Sequence, residues 1–107
     1  MADERIKQIA AVYGYDAQSR QCIEEMAELT QAINKLWRKE LKCGYIAGDE
    51  SRLNKESTAY NNVVEEIADV EIMLEQMKVM LCCADGVKAV KEEKLERQIK
   101  RLQGREK

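Results

Sequence analysis

The stretch that decides the fold is residues 63–81, VVEEIADVEIMLEQMKVML. Val63, Ile67, Val70, Leu74, Met77 and Leu81 step alternately by four and three, the spacing that lines one side of an α-helix, and no glycine or proline interrupts them. The spacing predicts a helix from about Glu56 to Cys83 and makes it the core element. A matching stripe upstream, Cys22, Met26, Leu29, Ile33 and Leu36, predicts a long helix from Ala17 to about Lys42, stopped by Gly44. Residues 44–55 mix Gly, Asp, Ser and Asn without periodicity and read as a loop holding a helical turn. Ile6, Ile9, Ala10 and Tyr13 mark a short first helix that ends at Gly14, Tyr15 and Asp16, with Asp16 placed to cap the next one. Beyond an Asp85-Gly86 break, Val87, Val90, Leu95, Ile99 and Leu102 form a weaker stripe on a charged, peripheral helix. The expected fold is all-α, a single domain over 1–107: an antiparallel bundle of two long central helices with a short N-terminal and a charged C-terminal helix.

Composition agrees. A chain of 107 residues and 12.3 kDa is too short to split into two self-sustaining cores. It has no proline and 5 glycines, too little punctuation for an all-β fold. No apolar run approaches the ~20 residues of a bilayer crossing. The absence of histidine removes the usual general base, the commonest zinc ligand and every Ser-His or Cys-His pair. Chemistry is left to carboxylates, lysines and oxygen-preferring metals. Cys22, Cys43, Cys82 and Cys83 show no CxxC spacing and read as reduced, mostly buried thiols. The start, MADERIKQIA, does not read as a signal peptide, so a cytoplasmic location is expected. Residues 1–85 hold 10 Lys+Arg against 16 Asp+Glu, and residues 86–107 hold 8 against 4, so an acidic body carries a basic tail. The tail is interleaved with glutamates and lacks aromatics, so no nucleic-acid binding is expected; it reads as a solvated helix that also can face phosphate.

The acids of the two central helices are arranged alike. Glu25 and Glu28 stand three apart, each one position before a stripe residue, Met26 and Leu29. Glu66 and Asp69 stand in the same relation to Ile67 and Val70. Antiparallel packing through the stripes brings four carboxylates to one partly buried place, where their repulsion calls for a divalent cation. Oxygen-only ligands favour Mg²⁺ or Mn²⁺ over zinc. A single such pair is ordinarily a solvated surface feature. Two at the same offset, with Glu24 and Glu65 adding charge and no lysine at i+4, favour a site. A ferritin-like di-iron centre would need a Glu-x-x-His element, which this chain cannot supply.

The segments EEMAELTQAI at 24–33 and EEIADVEIML at 65–74 resemble the ExxE and ExxD motifs of the MazG-like all-α nucleotide pyrophosphohydrolases. The resemblance covers the two central helices and places the ExxE positions on Glu25 and Glu28 and the ExxD positions on Glu66 and Asp69, the four residues already selected. It implies Mg²⁺-dependent hydrolysis of a nucleoside or deoxynucleoside triphosphate to the monophosphate and pyrophosphate, by a homodimer or homotetramer. The four acids would hold one or two metal ions, with Glu24 or Glu25 as the general base. Lys91, Lys94, Arg97 and Arg101 follow helical spacing and form a basic strip suited either to phosphate or to solvent. Trp37 is a candidate to stack on a base, or to pack against the loop or another subunit. Tyr60, Asn61 and Asn62 are candidates to read sugar or base. Two alternatives stand beside this reading: a phosphoribosyl-ATP pyrophosphohydrolase of the same superfamily, and a non-enzymatic helical dimerisation adaptor.

Overall fold

The computed structural model describes residues 2–42, 45 and 47–105, and among these every regular element is helical. Helix α1 spans Glu4–Leu36, α2 Thr58–Met80 and α3 Ala84–Arg105. Asp3 starts α1 by accepting the Arg5 amide at 2.9 Å, and the Arg5 guanidinium closes back on the same carboxylate at 2.6 Å. That pairing holds the Asp3 carboxyl down at about 2. The expected division into a short and a long helix is present inside α1 as a kink: Gly14 has φ +81° and ψ 167°, a conformation open to glycine at little cost. Asp16 does not serve as the expected side-chain cap among the described residues; the Ser19 hydroxyl instead donates to the Asp16 carbonyl at 3.2 Å.

The last turn after Leu36 widens into a π-helical turn, Trp37–Leu41, and the connecting loop contains the expected helical turn as a 3₁₀ segment, Glu50–Arg52. The expected stop at Gly44 and the thiol of Cys43 lie outside the described residues. Ser57 caps α2, its hydroxyl oxygen accepting the Tyr60 amide at 3.0 Å while its O–H donates to Glu40 at 3.2 Å. One serine thus starts α2 and fastens it to the end of α1. The break after α2 falls at Cys82 rather than at Asp85-Gly86. The Cys82 amide donates to the Val79 carbonyl and the Cys83 amide to that of Lys78, a Schellman closure with Cys82 in the left-handed position at φ +52°. Gly86 lies within α3.

α1 and α2 pack antiparallel, since Gln18 meets Gln76, Glu25 meets Glu66 and Glu40 meets Ser57. The seam between them corrects the expected stripe. Its buried residues are Gln18, Cys22 and Ala32 on α1, and Ala59, Val70, Met73 and Gln76 on α2, with Glu25, Leu29, Val63 and Glu66 half-buried among them. Met26, Ile33, Ile67, Leu74 and Leu81, all expected in the core, are 41–52% exposed. Small residues at the closest approach, Cys22, Ala32 and Ala59, bring the backbones together and leave the larger side chains about 100° around each helix. Because the helices are antiparallel, Ile23, Met26, Ile33 and Trp37 of α1 fall on the same broad side of the hairpin as Ile67, Leu74 and Leu81 of α2. The opposite side carries Glu24, Glu28, Glu65 and Asp69. α3 has no buried residue.

Candidate metal centre

The seam brings Glu25 and Glu28 of α1 beside Glu66 of α2, one carboxylate oxygen of each lying within 4.8 Å of the other two. Register explains the meeting. Glu25 and Glu66 occupy seam positions themselves, three residues after Cys22 and after Val63, and Glu28 sits at the seam's acidic edge. The expectation placed all four acids beside the seam; two of them are in it.

Glu25 Oε1 accepts the Gln21 side-chain amide at 2.8 Å, but Glu25 Oε2 and Glu66 Oε2 are buried with no hydrogen-bond partner. Buried carboxylate oxygens are ordinarily paired, and these two, on neighbouring carboxylates, are not. None of the ion pairs among the described residues reaches Glu25, Glu28, Glu66 or Asp69. The Glu28 carboxyl is raised above its ordinary range, first by the charge of Glu25, then by desolvation, by Glu24, by the hydrogen bond its protonated form makes to Glu25, and by Asp69. Burial is the leading cause at Glu66, which is raised too, with Glu28, Glu25, Asp69 and Glu65 adding to it. Every charge acting on these two groups is negative, so each carboxylate raises the others.

Asp69 is half-buried one turn after Glu66, close enough to act on Glu28 but outside the group of three. Glu24 is exposed on the acidic side and also acts on Glu28. The donor set fits a hard divalent cation: carboxylate oxygens from two helices, no thiolate among them, and two oxygens already desolvated.

The remaining candidates are not brought to this place. Lys91, Lys94, Arg97 and Arg101 lie on α3, all exposed, and none of them is among the charges acting on Glu28 or Glu66. Arg97 faces Glu93 of its own helix at 3.6 Å. Asn61 is occupied locally, its amide donating to the Lys55 and Ser57 carbonyls at 3.0 and 2.9 Å, while Tyr60 is half-buried and Asn62 exposed. Trp37 is 56% exposed on the apolar side of the hairpin. A groove of about 940 Å³, lined by Ile6, Ile72, Leu74, Met77, Val87 and Lys91 among others, includes none of the four acids; Ala68 and Glu75 in its wall are half a turn around α2 from Glu66. Sequence reasoning missed Gln21, which orients Glu25; its i,i+4 spacing to Glu25 is the signal that could have found it.

No protein-family model, curated protein or solved structure matches this chain at a significant level. The resemblance rests on the two motifs alone.

Proposed function

We propose that the chain is a Mg²⁺-dependent nucleotide pyrophosphohydrolase that cleaves a nucleoside or deoxynucleoside triphosphate to the monophosphate and pyrophosphate. The observation that carries this reading is the pair of buried, unpartnered oxygens, Glu25 Oε2 and Glu66 Oε2, on carboxylates that meet across the seam with Glu28, one oxygen of each within 4.8 Å of the other two. Glu25, Glu28 and Glu66 would hold the ion, and Asp69, one turn on, would complete the set. Mg²⁺ bound there supplies Lewis-acid neutralisation of the triphosphate oxygens. The residues themselves do three things. Gln21 fixes the rotamer of Glu25 through its 2.8 Å hydrogen bond. The helical seam holds the acids in a preset geometry, so little reorganisation is needed when substrate arrives. Glu24, exposed on the acidic side, can take the proton of an attacking water.

The test is to incubate the protein with the canonical NTPs and dNTPs in ~5 mM MgCl₂ and measure pyrophosphate, with Glu66→Gln as control. Release that requires both Mg²⁺ and Glu66 supports the reading. Release from no nucleotide, or equal release by Glu66→Gln, removes it.

A further inference from the structure

The basic strip of α3 stays away from the acids, but α1 carries a cation on their own side of the hairpin. Lys35 follows Glu28 by seven residues, within the regular part of the helix, which ends at Leu36. Seven residues make nearly two turns, so Lys35 stands about 20° from Glu28 around the helix and roughly 10 Å further along it, towards the connecting loop. It is exposed and takes part in none of the ion pairs among the described residues. Nor is it among the charges acting on Glu28 or Glu66, so it stands beyond the reach of the acids whose side it shares. Two other cations of these helices are turned elsewhere. Arg20 precedes Glu28 by eight residues and is rotated about 80° from it, away from the seam. Lys78, the single basic residue of α2, lies on the face opposite Asp69 and pairs with Glu75 at 2.7 Å.

We propose that Lys35 holds a phosphate of the bound substrate and so sets the direction in which the polyphosphate chain lies, from the metal ion at Glu25, Glu28 and Glu66 along the acidic side towards the loop. This rests on the reading of the three glutamates as a metal centre. Charge balance calls for such a group. Glu24, Glu25, Glu28, Glu65, Glu66 and Asp69 put six carboxylates at one stretch of the hairpin. One or two divalent ions leave that stretch negative, so a triphosphate needs a further positive contact there. A lysine is a point charge on a flexible four-carbon stem, suited to an anion that arrives on a metal ion. The separation also fits: it is too long for a salt bridge to the glutamates, and a polyphosphate anchored on the ion can span it together with the lysine stem. Without a ligand, Lys35 has only its favourable place in the last turn of α1, at the negative end of the helix, a role that any side of that turn would fill.

The probe is inorganic tripolyphosphate, which carries the substrate's chain without base or sugar, titrated calorimetrically into the full chain in ~5 mM MgCl₂, with Tm measured in MgCl₂ alone. The expected result is binding by wild type and about 10- to 100-fold weaker binding by Lys35→Ala, the loss of one charge-assisted contact. Lys35→Arg and Arg20→Ala should bind within a few-fold of wild type, and the rise of Tm with MgCl₂ alone should be the same in all of them. If wild type shows no such rise, the metal reading has failed and the proposal falls with it. With that rise intact, three results overturn the proposal alone: wild-type affinity in Lys35→Ala, no binding of tripolyphosphate by wild type, or a loss at Arg20→Ala in place of Lys35→Ala. A lowered Tm of metal-free Lys35→Ala with unchanged affinity would reduce the lysine to its helix-end role.

Discussion

Gln18 and Gln76 meet inside the seam, the Gln18 Nε2 amide donating to Gln76 Oε1 at 2.8 Å, with Gln76 only 1% exposed. Two glutamines far apart in sequence thus set the register of α1 on α2, because a slip of either helix would leave a buried amide unpaired. Gln18→Ala should destabilise the fold by about 1–3 kcal/mol, since the Gln76 carbonyl would lose its donor. Replacing both by Leu should cost much less. Denaturant midpoints for the two single variants and the double, at one protein concentration, check this; additive losses would show that the pair is not coupled.

The glutamate cluster makes the metal-free protein more stable in mild acid. Glu66 and Glu28 have folded-state values raised above their ordinary 4.5, so the folded state binds more protons than the unfolded one between 4.5 and the raised values. Stability from these groups is full below 4.5 and is lost as pH rises through the raised values. Glu66→Gln should flatten this slope and raise the Tm of the metal-free protein at pH 7. Asp3 acts in the opposite sense: its value of about 2 means that the α1 cap is lost as pH falls from 3.8 towards 2. A Tm profile from pH 2 to 8 with EDTA shows both limbs, and a wild-type profile flat between pH 4.5 and 7 would contradict the first.

Magnesium should replace the missing protons. At a concentration a hundredfold above its Kd, a ligand that binds only the folded state adds roughly 2.7 kcal/mol. MgCl₂ should raise the wild-type Tm at pH 7 and move the Tm of Glu25→Gln or Glu66→Gln much less. NaCl at equal ionic strength is the control, and equal shifts with both salts would reduce the effect to screening.

Cys82 occupies a position suited to glycine, with φ +52° at the Schellman closure of α2. Cys82→Gly should stabilise the protein by about 0.5–1 kcal/mol by relieving the left-handed strain. Its side chain is exposed, so little packing is lost. A midpoint below wild type would show that the thiol contributes a contact that outweighs the strain.

Helix positions, and the meeting of Glu25, Glu28 and Glu66, were legible in the sequence because each depends on local spacing, while Asp69, expected with them, lies outside the group. The four-and-three rhythm of 63–81 needs only one helix to be visible, and ExxE with ExxD needs only two. The side of each helix that turns inward was not legible. The rhythm follows the largest apolar residues, Met26, Ile33, Ile67 and Leu74, whereas the helices approach through Cys22, Ala32 and Ala59 and accept Gln18, Glu25, Glu66 and Gln76 between them. A small residue and a polar one carry little weight in an apolar pattern, although together they permit the closest packing. The end of α2 was hidden for a similar reason: Cys82 bears no turn signal, while Gly86, which does, is absorbed into α3. The basic strip of 91–101 is a sequence regularity whose helix the protomer does not bring to the acids.

The hydrogen bond from Ser57 to Glu40 works as a clasp at the neck of the connecting loop. With the seam and this bond holding the two helix ends together, the length of the chain between them adds little to the cost of closing the hairpin. Loop-closure entropy grows only by about 0.6 kcal/mol for each doubling of length, so this neck is where the chain can be lengthened, or even opened to new termini, at little cost to the seam. The hairpin that presents the acids is in that sense modular. Its register is written in side chains that face each other across space, and the backbone joining them is free to vary.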